Sequence, residues 1–482
     1  MSVHASQFSP YGSDLGASSS FELPCSAFEQ YMLIDDRPSH PMSSYLEVEI
    51  SGPLHTDSLR EALHKVLERH VLLHSRVRMI EGVYCDWIPE AIPLDIEVVT
   101  DGKSPDYGRM DLRKRCGLRV WLFPGTPTSR LVLDVHHATC DALGMMTFLI
   151  EWLAVYGGRE DQLPPPTLKR LAGREDLSRV SASYPLVRRI ANVTRYLFRE
   201  TPRPLVNTPA PTRSNEESSQ VASPTCDGDA KAAQPPSAYH AVKLNREELQ
   251  QLRSAARARG VTLNDWMCAV LFQTIHHWNV DYGETARGPY RIVVPVNRRS
   301  AEERFLSACN KIGYKMLTRR GRQLERLDEL LSSISLEMQP VRESPDGVHS
   351  FLKMLRLMSR MGILPHVVGR FGTFATVVFS NVGNVTEYFS PILERTPDGK
   401  LESGSIRVES FRCAPPRRLN TNNTIAAFSY GEELHLVSSR LGRGLDADQT
   451  LEFLNRFHDD LLKSIRSGGR HSNESTPTAS TA

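Results

Sequence analysis

A short turn between an apolar strand pattern and an apolar helix pattern constrains the fold of this chain most. Residues 131–135 carry four aliphatic side chains, as a buried strand does, and residues 143–155 form a mostly apolar segment of helical length. His136, His137 and, four residues after the second histidine, Asp141 lie between them. Flanking elements can hold the side chains of such a turn in a cleft. Because histidine moves protons near neutral pH, the turn predicts an enzyme.

The charge, the apolar runs and the cysteines of the chain exclude several classes of protein. A net charge of +2 over 482 residues gives no field that would attract nucleic acid. No apolar run reaches the roughly 20 residues that span a bilayer, and the first residues lack the pattern of a secretion signal. The eight cysteines include no Cys-x-x-Cys pair, which favours reduced thiols. We therefore expect a cytoplasmic monomer that binds neither nucleic acid nor a metal.

The composition divides the chain into two folded halves and a linker. Residues 21–165 mix strand and helix patterns around one expected sheet, which predicts an N-terminal α+β lobe. Residues 166–238 contain a basic helix pattern and then a stretch rich in Pro, Ser, Thr and Ala, which predicts a flexible linker. Residues 239–466 return to mixed patterns and predict a C-terminal lobe. We expect the polar segments 1–20 and 467–482 to be disordered.

The basic helix pattern within the linker has two interpretations. Residues 185–199 place apolar side chains near one helical face, with four arginines around it. Such a helix can lie on a membrane surface, which would give the protein a peripheral membrane contact. The same pattern is also typical of a helix that packs on a lobe and exposes its basic face to solvent, and this is the commoner case.

Besides the turn motif, five further segments occur in an order that one superfamily shares. They are residues 59–76, a long helix pattern and the strand after it; 116–119, a strand entry; 260–265, with Thr262, Asn264 and Asp265 at a helix start; 294–298, a Pro-Val-Asn strand end; and 380–383, a Ser-Asn-Val-Gly turn. The set resembles the chloramphenicol-acetyltransferase-like superfamily, whose signature is His-His-x-x-x-Asp-Gly. That superfamily includes condensation domains of peptide synthetases, wax ester synthases and polyketide-associated acyltransferases.

The resemblance implies both a fold and a reaction. The implied fold is α/β, with two similar α+β sandwich lobes arranged as a V-shaped pseudo-dimer and an active-site tunnel at their junction. The implied reaction is transfer of an acyl group from a thioester, acyl-CoA or acyl carrier protein, to a hydroxyl or amine acceptor. No cofactor is implied, because coenzyme A or phosphopantetheine serves as the donor substrate. A carrier protein acting in trans is the implied macromolecular partner.

The resemblance also assigns roles within the turn. His137 is the implied general base. Asp141 is implied to shape the loop through a salt bridge to an arginine, and we predict that this arginine is Arg298. His136 is expected to be structural. Ala142 stands where the family has glycine, and a positive φ there would cost an alanine roughly 1 kcal/mol or more.

Several polar residues keep alternative interpretations. Asn264 can line the tunnel or cap a helix, and Ser380 and Asn381 can line the tunnel or form a turn. A metal site in the turn is disfavoured because adjacent histidines point apart. Cys140 is an unfavourable nucleophile because it lies between the motif positions.

Two alternative functions stay open at this stage. The chain can be a stand-alone, amide-forming condensation domain that acts on carrier-bound substrates. It can also be a catalytically degenerate member that binds an acyl ligand or a partner, an interpretation that depends on Ala142.

Overall fold

The structure is a computed structural model in which twelve ranges are described: 23–80, 84–90, 95–100, 108–166, 168–175, 239–283, 289–343, 348–368, 374–416, 418–419, 421–439 and 445–467. The predictions for the N-terminal segment 1–20, the basic helix 185–199, the linker as far as residue 238 and the tail from residue 468 lie outside these ranges.

The described helices and strands are numbered here in chain order. The helices are α1 Ala27–Asp35, α2 Thr56–Leu67, α3 Ala142–Tyr156, α4 Leu168–Leu171, α5 Arg246–Ala258, α6 Leu263–Asp281, α7 Leu327–Glu343, α8 His349–Arg360, α9 Leu364–Val367, α10 Val385–Phe389 and α11 Ala447–Ser467. The strands are β1 Leu23–Pro24, β2 Ser43–Ser51, β3 Ser75–Ile80, β4 Tyr84–Pro89, β5 Ile96–Val98, β6 Leu118–Phe123, β7 Thr128–His136, β8 Tyr239–Leu244, β9 Tyr290–Asn297, β10 Ile312–Arg319, β11 Ala375–Asn384, β12 Glu394–Arg395, β13 Leu401–Ser403, β14 Ile406–Ala414, β15 Thr421–Tyr430 and β16 Glu433–Ser439.

The N-terminal lobe is built on a seven-stranded sheet in the order β12-β13-β14-β2-β7-β6-β5. Its central pair, β2 and β7, is antiparallel from Ser43 opposite His136 to Ser51 opposite Thr128. Helices α2 and α3 share one hydrophobic core with this sheet. The apolar stripe of α2, with Leu59, Leu63 and Val66 fully buried, explains why the helix forms, since burial of one face stabilises an amphipathic helix more than propensity does.

The C-terminal lobe is built on a six-stranded sheet in the order β10-β9-β11-β15-β16-β8. Its central strand β11 is parallel to both β9 and β15. Helix α6 lies in the core of this lobe, with Trp266 and Trp278 completely buried, as its mostly apolar sequence predicted. None of the described helices is both long enough and apolar enough to cross a membrane.

The sheet order corrects one sequence prediction about the lobes. Strands β12 to β14 fall within the range 239–466 that we assigned to the C-terminal lobe, yet they extend the sheet of the N-terminal lobe, where β14 pairs with β2 from Arg407 opposite Ser51 to Ala414 opposite Tyr45. The chain crosses back between β14 and β15. Sequence patterns report which segments form strands but carry no local signal for a partner so distant along the chain, so this exchange was not predicted.

Candidate active site

The turn that carries the histidines is fixed by hydrogen bonds from both lobes. Strand β7 ends at His136 and α3 begins at Ala142. The backbone N–H of His137 donates to the carbonyl of Met42 at 2.7 Å. From the C-terminal lobe, Nδ2 of Asn310 donates to the carbonyls of His137 and Ala138 at 2.8 and 2.9 Å. The turn therefore depends on both lobes for its shape.

The ring of His137 is half-buried and is held through one of its nitrogens. Nδ1 lies 2.9 Å from the carbonyl oxygen of Cys140, which accepts only if Nδ1 carries the proton. That assignment leaves a lone pair on Nε2, and no hydrogen bond to Nε2 is found among the described residues. Burial lowers the pKa of His137 below its usual value. The imidazole is therefore neutral near pH 7 and can accept a proton.

His136 is placed as a structural residue. Its side chain is completely enclosed, the N–H of Ala138 donates to its Nδ1 at 3.1 Å, and its Nε2 lies 3.5 Å from Oδ2 of Asp36. Burial alone would raise the pKa of Asp36, but contacts with the side chain of His136, the N–H of Met42 and the charge of Arg109 outweigh it and lower the pKa below its usual value, so that carboxylate stays ionised. The ring of His136 thus ties the turn to the residues that follow α1.

Asp141 connects the two lobes through a buried ion pair. Its two oxygens lie 2.9 and 3.0 Å from Nη1 and Nη2 of Arg299, a bidentate geometry, and both side chains are almost fully buried. Asp141 also accepts from the N–H of Gly144 at 2.9 Å, as the N-cap of α3, and from the N–H of Lys311 at 2.8 Å. Four described donors therefore saturate this carboxylate.

The prediction that Arg298 is the partner of Asp141 is wrong by one residue. The N–H of Arg298 donates to the carbonyl of Lys311, and its side chain lies near His349, whose pKa is lowered to about 4 by burial and then by the charge of Arg298. Neighbouring residues in extended backbone project to opposite sides. The structure places Arg299 on the side of the turn, and no local pattern in the sequence distinguishes it from Arg298.

Ala142, which stands where the superfamily that the sequence resembles has glycine, causes no backbone strain. It is the first residue of α3 and does not have a positive φ. The position in this turn that has no room for a side chain is Gly144, where an added Cβ would lie 3.0 Å from the Cβ of Cys140 and 3.1 Å from the backbone of Cys309. The reason for doubting the activity of the turn therefore does not apply.

We expect Ala142→Gly to leave the free energy of unfolding unchanged or to lower it by up to about 1 kcal/mol, because glycine is the poorer residue in a helix. Chemical denaturation followed by tryptophan fluorescence measures this difference. A stabilised Ala142→Gly variant would contradict the backbone conformation described here.

His137 lines a cavity between the two lobes that encloses about 890 Å³, including its opening to solvent. Most of the wall is apolar. From the N-terminal lobe and its added strand it is formed by Ser44, His137, Asp141, Ala142, Leu143, Met145 and Cys413. From the C-terminal lobe and the crossover it is formed by Pro295, Asn297, Ile312, Tyr314, Val378, Ser380, Asn381, Val382, Pro415, Pro416, Arg418, Thr424 and Ala426.

The remaining predicted residues lie on the C-terminal side of this cavity. Ser380 and Asn381 belong to β11 and line it. Nδ2 of Asn381 donates to Oδ1 of Asn264 at 3.2 Å, so these two predicted residues meet, although Asn264 itself is not part of the cavity wall. Thr262, rather than Asn264, caps α6 by accepting from the N–H of Asp265.

Besides Arg299, two further residues of the site were missed by sequence analysis. Asn310 fixes the backbone of the turn, and Arg418 brings a second charge to the cavity wall. Each lies in an irregular segment with no motif around it, so no local signal could have identified either one.

Comparison with proteins of known structure agrees with this architecture. The condensation domain of the monacolin K polyketide synthase MokA superposes with a TM-score of 0.64 at 14% identity, covering 92% of this chain and 97% of that domain. TRI3 trichothecene 15-O-acetyltransferase from Fusarium sporotrichioides gives 0.64 at 12% identity, covering 92% and 95%. The chain has the chloramphenicol-acetyltransferase-like fold. Polyketide synthase associated protein 5 from Mycobacterium tuberculosis shares it, with a TM-score of 0.56 at 14% identity over 93% of this chain and 99% of that one.

Similarity at the sequence level is weaker. An uncharacterized protein of Mycobacterium tuberculosis H37Rv is 24% identical over 387 residues, which cover 75% of this chain and 83% of that protein. A probable non-canonical nonribosomal peptide synthetase of Salinispora arenicola, CymA, is 30% identical over 131 residues, or 25% of this chain and 2% of the synthetase. No protein-family model matches the chain. The two-lobed fold predicted from ordered sequence segments is thus confirmed at the level of structure.

Proposed function

We propose that the protein is an acyltransferase that moves an acyl group from a thioester to a hydroxyl or amine, with His137 as general base. The observation that carries this proposal is the geometry of His137: its Nδ1 is tied to the carbonyl of Cys140 and its ring lines the cavity between the lobes. The opposite nitrogen, Nε2, then supplies an uncharged lone pair. A base poised in this way activates a nucleophile at neutral pH.

The proposed reaction is direct attack within the cavity. Nε2 of His137 removes the proton of the acceptor hydroxyl or amine. At the same time the oxygen or nitrogen of the acceptor bonds to the carbonyl carbon of the thioester. The tetrahedral intermediate collapses, the carbon–sulfur bond breaks, and the thiolate takes the proton back from the imidazolium. No covalent acyl-enzyme is required, because holding both reactants in one cavity makes the attack effectively unimolecular. In this proposal Asp141 and Arg299 hold the turn and touch neither substrate.

The nature of the donor divides this proposal into two forms. The likeness to TRI3, named as an O-acetyltransferase, supports transfer to a hydroxyl, for which we propose acyl-CoA as the donor. The likeness to condensation domains supports the alternative, in which a cytoplasmic carrier protein presents the thioester in trans and the product is an amide.

A matched pair of donors tests both forms. The protein is incubated with an acyl-CoA series and with the same acyl groups on a carrier protein, each with pooled alcohols and amines, and products are detected by mass spectrometry. We expect new esters or amides whose formation requires the protein and a thioester. If no donor yields a transfer product above the rate without protein, the proposed function is wrong.

The lowered pKa of His137 gives a prediction for the pH dependence of the reaction. The base must be neutral, so kcat/KM should rise as the pH increases through the pKa of His137 and reach a plateau at neutral pH. The midpoint should lie below the usual histidine value of about 6.5. A pH–rate profile at saturating donor measures this midpoint. A midpoint above 6.5 would show that the rise in kcat/KM comes from the titration of another group.

A further inference from the structure

The cavity wall contains a buried cation that the proposed reaction does not use. Arg418 lies in the segment that crosses from β14 to β15, and its side chain is only 7% exposed. It lines the cavity that also contains His137, and its charge contributes to the lowered pKa of that imidazole. Burying a guanidinium costs several kcal/mol of desolvation, and a counter-ion often repays only part of that cost. The placement of Arg418 in a largely apolar wall therefore needs a reason.

The counter-ion of Arg418 is turned away from the cavity. Nη2 and Nε of Arg418 lie 2.7 and 2.8 Å from Oδ2 of Asp35. Asp35 is 1% exposed and is not among the described residues that line the cavity, whereas Arg418 is. A molecule in the cavity thus meets the cationic member of the pair and not the anionic one.

The hydrogen-bonding capacity of Arg418 is only partly used. Asp35 engages the guanidinium through a single oxygen and two N–H groups, and the hydroxyls of Tyr31 and Tyr314 are its other described hydrogen-bond partners, whereas a guanidinium has five N–H donors. Asp141, the other charged residue of the wall, differs because both its oxygens are saturated by Arg299 and backbone donors. Of the two charges on the wall, Arg418 is therefore the one with donors to spare.

Two tyrosines add neutral hydroxyl groups beside this cation. The guanidinium lies 4.5 Å from the centre of the Tyr31 ring, and the hydroxyls of Tyr31 and Tyr314 interact with it. Burial raises the pKa of both tyrosines, so each hydroxyl stays protonated at neutral pH. The arrangement offers donors to an incoming oxyanion, and the two tyrosines add no negative charge to that of Asp35.

We propose that Arg418 forms a carboxylate-binding subsite, and that the acceptor of the acyl transfer is a free hydroxy acid or amino acid. This inference rests on the proposed function. The carboxylate of the acceptor would pair with the planar guanidinium, which matches carboxylate geometry, while its hydroxyl or amine meets Nε2 of His137. An acceptor attached to a carrier has a thioester in place of that carboxylate, so the subsite favours a free acid over a carrier-bound acceptor.

Matched acceptors test the subsite. 3-Hydroxybutyrate, 3-hydroxydecanoate, leucine and phenylalanine are each compared with their methyl esters, using an acyl-CoA series as donors. The ratio of kcat/KM for acid over ester is measured for the wild type and for the double variant Arg418→Gln/Asp35→Asn, which removes both charges and leaves neither one unpaired. Because each ratio is compared between enzymes, differences in intrinsic reactivity cancel. The control is Arg119→Gln/Asp134→Asn, which neutralises another buried pair that does not line the cavity.

We expect the double variant at Arg418 to lower the acid-to-ester ratio by about 10- to 100-fold, the range for a charge-assisted hydrogen bond, while the control keeps the wild-type ratio. If acyl transfer occurs with the same acid-to-ester ratio in the wild type and in the double variant, the subsite is wrong and the proposed function is unaffected. Titration calorimetry of 3-hydroxydecanoate is a second readout that needs no turnover. Binding to the wild type at least ten times tighter than to the double variant supports the subsite, and equal binding or none overturns it.

Discussion

Replacing Asp141 with alanine is expected to lower the free energy of unfolding by about 3–5 kcal/mol, the usual cost of removing one partner of a buried ion pair. Arg299, whose side chain is 1% exposed, would keep its charge with no carboxylate beside it. The N–H groups of Gly144 and Lys311 would lose their acceptor, and α3 would lose its N-cap. Urea denaturation followed by tryptophan fluorescence measures the difference.

The double variant Asp141→Ala/Arg299→Met distinguishes an unpaired charge from a lost packing contact. Removing both charges should recover part of the stability, because methionine fills much of the space without needing a counter-ion. The single variant could lose less than about 1 kcal/mol of unfolding free energy, or the double variant could recover none of the loss. Either result would show that the ion pair between the lobes does not hold the turn.

His137→Ala is expected to lower kcat for acyl transfer by about 100- to 10,000-fold, the usual contribution of a positioned general base. The fold should change little, because the ring is half-buried and its one described hydrogen bond is to the Cys140 carbonyl. The remaining activity should also lose the rise of rate with pH. Release of free coenzyme A and mass spectrometry of the product measure both.

His74 provides a matched control for that variant. It is also half-buried, its Nδ1 lies 3.1 Å from the carbonyl of Glu90, and burial lowers its pKa, but it is not part of the cavity wall. His74→Ala should therefore keep nearly wild-type turnover. If the two alanine variants lose activity to the same extent, the role of His137 is structural and the proposed mechanism fails.

Local signals predicted the elements that place the turn. The strand and helix on either side of His137 and the helix pattern that begins at residue 59 depend on contacts within a few residues, and the structure has these elements there. The order of such segments, together with family resemblance, predicted the two lobes. The local patterns and the order of the segments can both be read directly from the sequence.

What sequence reasoning missed depends on contacts between distant residues. Arg298 and Arg299 are chemically identical, and only the direction of the backbone after β9 decides which one reaches Asp141. Asn310 acts through carbonyls more than a hundred residues away, and Arg418 matters because of the cavity that two lobes enclose. Neither position has a periodic pattern or motif that marks it.

The exchange of β14 into the N-terminal sheet makes the two lobes mutually dependent. A fragment that ends before residue 239 would lack the neighbour of β2 and would expose an unpaired strand edge, which invites aggregation. Conversely, an isolated C-terminal fragment would carry three strands with no sheet to join. The cleft that holds the histidine is therefore the product of a single cooperative unit, and a chain severed between the lobes would regain it only if both pieces reassembled.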